Sequence, residues 1–79
     1  MVKKITKSAR QIRQALGQDP NKTRLLDAEV DEKGPHFAIN EGVISPLTEV
    51  VLDFLGEPNG TLVRIEFDEV AQNADFIVE

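Results

Sequence analysis

From Thr61 to Phe67 the apolar residues Val63, Ile65 and Phe67 alternate with Arg64 and Glu66, and Asp68 continues the charged row. A period of two is the signature of a strand with one buried face, and such a strand cannot fold alone: its apolar side must be covered by a second layer. A related alternation runs from Thr23 to Val30, where Leu26, Ala28 and Val30 interleave with Asp27, Glu29 and Asp31. Glu32-Lys33-Gly34-Pro35 reads as a turn into a strand from His36 to Asn40, with Phe37 and Ile39 inward and Gly42 at its end. A short last strand is expected from Asp75 to Glu79 through Phe76 and Val78, after a loop at 69–73.

Two segments follow the helical period instead. Ile5, Ala9, Ile12 and Leu16 recur at steps of four, three and four, giving one narrow stripe. Ser8 with Gln11 three residues on forms a capping box, and Gly17 followed by Pro20 stops the helix. The second helix starts at Ser45-Pro46, carries Leu47, Val50, Val51 and Phe54 on one face, and ends at Gly56 and Pro58, with Asn59-Gly60 turning into the next strand. Leu52 lies beyond Leu55 at the edge of that apolar sector and is expected to be exposed. The expected fold is α+β in the order αββαββ, with two helices on one face of a mainly antiparallel sheet, as one domain over 1–79. At 79 residues that domain has a single small core, which a homodimer would help to shield.

Charge is divided unevenly along the chain. Residues 1–25 hold seven of the nine Lys and Arg with one acid, Asp19, a local charge of +6; the rest holds thirteen of the fourteen acids against Lys33 and Arg64, a local charge of −11. Such asymmetry points to recognition of a charged partner. On the acidic side, Asp27, Glu29, Asp31, Glu66 and Asp68 are expected to share one sheet face, with Leu52 and Leu55 supplying desolvated contact. On the basic side, Lys3, Lys4, Lys7, Arg10 and Arg13 offer phosphate contacts from the N-terminal basic helix for a nucleic-acid reading, in which a dimer would bring two such helices together and which the overall net charge of −5 opposes.

The chemistry of enzymes and cofactors finds little support in the residue types. Cysteine is absent, which removes disulfides and thiolate chemistry and agrees with a reducing, cytoplasmic setting. Asp27-x-Glu29-x-Asp31 fails as a calcium loop, because Glu32 stands where glycine is required and Ala38 where a bidentate glutamate belongs. His36 is the single histidine, so neither a catalytic triad nor an imidazole metal cluster is expected unless subunits share it around an axis. Ser8 and Ser45, the two serines, are both accounted for as helix caps, neither lies in a Gly-x-Ser-x-Gly elbow and neither is expected to be a nucleophile; no glycine-rich phosphate loop is present. No signal peptide or bilayer-spanning run is expected, and no cofactor is implied. The function expected from sequence is therefore a non-enzymatic regulatory or inhibitory module that binds a protein partner, with nucleic-acid binding as the alternative.

Overall fold

The computed structural model describes residues 1–22 and 24–79; the expected strand start at Thr23 lies outside the described residues. The elements run β1 (Lys3–Ser8), α1 (Ala9–Ala15), β2 (Leu25–Asp31), β3 (Gly34–Ile39), β4 (Gly42–Ile44), α2 (Thr48–Phe54), β5 (Leu62–Asp68) and β6 (Asn73–Val78). The class is α+β, with the strands in two antiparallel three-stranded sheets ordered β1-β6-β5 and β2-β3-β4. The αββαββ order is corrected by two strands, β1 ahead of the first helix and β4 ahead of the second, and by the division of one expected sheet into two.

Each correction has a local cause. Ile5 belongs to β1 opposite Phe76, and its four-residue spacing to Ala9 crosses the strand-to-helix junction. The inward-facing positions on either side of Ile5 are Lys3 and Lys7, opposite Val78 and Ala74, so β1 has no apolar alternation to reveal it. Lys3 is exposed and pairs with Glu57, while the half-buried Lys7 places its ammonium 5.1 Å above the Phe54 ring. β4 is three residues long, too short for a pattern, and is held by pairing Phe37 with Ile44 and Ile39 with Gly42.

Both helix stops act as the sequence indicates. In α1 Gly17 takes φ +76 and donates to Gln14 O, while Gln18 N donates to Arg13 O; in α2 Gly56 takes φ +75 and donates to Asp53 O, while Glu57 N donates to Leu52 O. These are paired Schellman closures, and glycine adopts the required left-handed backbone at little steric cost. The Ser8 capping box is also present, with Ser8 Oγ accepting from Gln11 N and Gln11 Oε1 accepting from Ser8 N. The expected Ser45 cap is corrected at α2: the cap is Leu47, whose apolar side chain has no acceptor for the free amides, and Ser45, two residues earlier, is hydrogen-bonded to His36.

The core lies between the inward faces of the two sheets and is completed by the helices. Phe76 of β6 is its centre, with ring centroids 6.3 Å from Phe37 of β3 and 6.4 Å from Phe54 of α2. Ala9 and Ile12 enter from α1, and Val51, Leu52 and Leu55 from α2. Leu52, expected to be exposed, is buried with 6% of its surface accessible. The helix is enclosed more widely than one flat sheet face allows, since its surroundings are a two-sheet core.

The sheets meet along β2 and β5, and each of these strands carries one bulge, between Leu25 and Asp27 and between Leu62 and Arg64. A bulge advances the chain by one residue and so exchanges the faces of the residues before it. Leu25 and Leu62 consequently point inward, while Leu26 and Val63, assigned inward by simple alternation, are exposed. Gln72 ties this seam together. Its Oε1 accepts from Leu25 N at 2.9 Å, its Nε2 donates to Leu25 O at 3.0 Å, and its own carbonyl accepts from Ala9 N.

Candidate functional site

The outer face of β2-β3-β4 follows directly from register. Directly paired residues in antiparallel strands share a face, so Asp27, Ala38 and Val43 form one row across the sheet, and Glu29 and His36 form the next. The opposite face carries Leu25, Ile39, Ala28, Phe37 and Ile44 into the core. Asp27, Glu29 and Asp31 are exposed, and Val43 keeps 66% of its surface accessible. The expected acidic strip on β2 is thus present, next to an apolar strip that the sequence reading did not assign.

His36 links the strip to the start of the second helix. Its Nε2 lies 2.9 Å from Asp31 Oδ1 and its Nδ1 lies 2.6 Å from Ser45 Oγ. An ionised carboxylate only accepts hydrogen bonds, so Nε2 carries a ring proton; in the neutral ring Nδ1 then accepts from the serine hydroxyl, and in the charged ring it donates to Ser45 Oγ. The hydrogen bond from His36, followed by one from Lys33 N, holds the Asp31 carboxyl below the usual carboxylate range. Ser45 lies where it does because Asn40-Glu41 is a two-residue turn. Pairing of Phe37 with Ile44 and of Ala38 with Val43 sets Ser45 opposite His36 one step beyond β4.

The other expected site residues are distributed differently. Glu66 and Asp68 belong to β5 in the second sheet and do not continue the β2 row through a hydrogen-bonded ladder. Glu66 is neutralised where it stands, with Arg64 Nε at 3.1 Å and Lys4 Nζ at 4.0 Å, and Lys4 reaches Asp75 at 4.0 Å as well. Asp68 turns back on its own loop, where Oδ1 accepts from Val70 N and Ala71 N. Leu52 and Leu55 are both buried, at 6% and 7% exposure, and cannot form a contact surface without unfolding.

The basic group is dispersed too. Lys3, Lys4 and Lys7 are on β1, with Lys4 on the outer face and the other two on the inner one; Arg10 and Arg13 are on α1. Arg10 donates to Asn21 Oδ1 at 2.8 Å, and Arg13 is 2% exposed. The expected separation of positive and negative regions is therefore replaced by interleaving: lysines of β1 sit among the acids of β5, β6 and the loop after α2. Among the described residues Asp27 and Glu29 have no basic side chain within ion-pair distance.

Among the described residues no group of three or more His, Cys, Asp and Glu is arranged to hold a metal ion, and no helix is long and apolar enough to cross a membrane. Comparison of the chain with models of protein families, with curated proteins and with solved structures gave no match.

Of the residues on this face, sequence reasoning placed Asp27, Glu29 and Asp31 and missed Ala38, Val43 and the contact of Ser45 with His36. A signal for them existed in the two-residue spacing of Asn40-Glu41 before Gly42, which closes a second hairpin and fixes what faces what.

Proposed function

We propose that this protein is a regulatory or inhibitory interaction module that acts by occupying a basic surface of a protein partner through the outer face of β2-β3-β4. The observation that supports this reading is the pair of exposed carboxylates without an ion-pair partner on the outer face of β2, Asp27 in register with Ala38 and Val43 and Glu29 in the next row with His36. Carboxylates at the rim accelerate encounter with a cationic surface, and an apolar centre gains free energy when it is desolvated. The expected contribution of Leu52 and Leu55 passes to Val43 and Ala38. Glu66 and Asp68 contribute less, since their charge is already met by Arg64 and Lys4 or by backbone amides. No specific observation favours nucleic acid, because its five cations do not share a surface.

The test is co-purification from the source cells with three forms of the full chain: wild type, Val43→Asp, and the double variant Asp27→Lys/Glu29→Lys. Proteins retained by the wild type and lost by both variants, with retention by the wild type weakening as salt rises, support the reading. Equal retention by all three forms sinks it. Sizing of the free protein at two concentrations shows whether the partner is a second copy.

A further inference from the structure

The hydrogen-bonded chain from Ser45 through His36 to Asp31 has a chemical consequence that is independent of the binding role. A hydroxyl donating to an imidazole whose other nitrogen donates to a carboxylate is the arrangement of nucleophile, base and orienting group found in serine hydrolases, here with the two ring nitrogens exchanged. Ser45 is exposed, so its oxygen is open to attack a molecule from solvent. The His36 side chain is 20% exposed and thus more sheltered than Asp31 at 50%.

We propose that Ser45 is a reactive nucleophile that takes an acyl group from small, neutral or cationic esters and passes it to water, with His36 as its base and Asp31 as the positioning residue. Ser45 Oγ forms a bond to the ester carbonyl carbon as its proton moves to His36 Nδ1. The carbon–oxygen bond to the leaving alcohol then breaks, and that oxygen takes the proton from Nδ1. Water adds to the acyl-serine by the same exchange in reverse, releasing the carboxylic acid and restoring the hydroxyl.

The substrate class follows from the same face. Val43 lies two residues before Ser45, on the side of the strand from which Ser45 meets His36, and offers an apolar seat for an acyl or aryl group. Asp27 and Glu29 disfavour anionic esters by charge. With a base and an orienting group as the assisting parts, both in contact with solvent, the acceleration belongs at the lower end of general-base catalysis, about a hundredfold over buffer.

The full chain is incubated with p-nitrophenyl acetate, release of nitrophenol is followed, and the acetylated peptide is mapped by mass spectrometry. The expected result is an acetyl group on Ser45 and turnover that Ser45→Ala reduces to the buffer rate, while Ser8→Ala, the other serine, leaves it unchanged. Ser45→Cys retains a nucleophile and is expected to carry the acetyl group as a thioester. Asp31→Asn, which removes the carboxylate that holds the ring in place, lowers the rate about tenfold. Asp31→Glu restores part of the rate. Circular dichroism of each variant checks that it is folded. Turnover that persists in folded Ser45→Ala, or acetylation confined to lysines, overturns the proposal.

Discussion

Arg13 retains 2% of its surface, less than several core leucines, although it is a cation. Its Nε donates to Asp19 O at 3.2 Å, and Nη1 is buried without a hydrogen-bond partner. Its place in the last turn of α1 favours a positive charge by about 0.3 to 1 kcal/mol, whereas an unsatisfied buried donor costs about 1 to 3 kcal/mol. The burial cost wins. Arg13→Met, which keeps the stem volume and removes the charge, is expected to unfold in urea within about 1 kcal/mol of wild type or above it. Arg13→Ala, which empties the same space, is expected to lose about 2 kcal/mol. Asp31 gives a second prediction at this scale. Its carboxyl is held low by His36 and then by Lys33 N, so its contribution is present above the ordinary carboxylate range and disappears as pH falls through the lowered value. The melting temperature of wild type should therefore fall on acidification below about pH 4 more steeply than that of Asp31→Asn.

Among the elements, the bulged strands and the Gln72 seam separate what looks equivalent in sequence. Leu25 and Leu26 are adjacent leucines, yet Leu25 has no exposed surface and Leu26 has 41%. Leu25→Ala is expected to cost about 2 to 5 kcal/mol in a denaturant titration, and Leu26→Ala under about 1 kcal/mol. Had β2 followed uninterrupted alternation, those two values would be reversed. Gln72→Ala removes both partners of the Leu25 backbone and is expected to destabilise by about 2 kcal/mol or more, measured by the same titration. Strand β2 is legible in sequence because Ala28 and Val30 alternate with charges after the bulge; the bulge itself is not, since Leu25-Leu26 offers an apolar residue for either face. Strand β1 is invisible for the opposite reason, as lysines flank Ile5 on the face that meets Phe76 and leave no apolar alternation.

At the scale of the whole molecule, stability depends on Phe76 more than on any interaction at the surface. It is fully buried and touches an aromatic ring from each of β3 and α2, so it joins both sheets and the second helix. Phe76→Ala is expected to cost about 3 to 5 kcal/mol, most of the stability available to a domain of this size, and to abolish a cooperative thermal transition. The charge pattern behaves in the reverse way. A local charge of +6 followed by −11 is linear in the sequence, but β1 is hydrogen-bonded to β6, the last strand, which brings Lys3 and Lys4 among late acids. Asp27 and Glu29 of β2 stay without a basic partner, since their sheet neighbours are Ala38 and His36 and not lysines, and His36 pairs with Asp31 instead.

Sequence by itself determined the local features: the Ser8 cap, the Gly17 and Gly56 stops, the alternating parts of β2, β3 and β5, and the α+β class. Each depends on residues within a few positions of one another, and backbone sterics or side-chain period decides them without reference to the rest of the chain. Tertiary structure alone decided that the first residues pair with the last, that Leu52 is covered, and that Asp31, His36 and Ser45 meet. These depend on closure of contacts between distant segments and on register, where one inserted residue in a strand reassigns every side chain that precedes it.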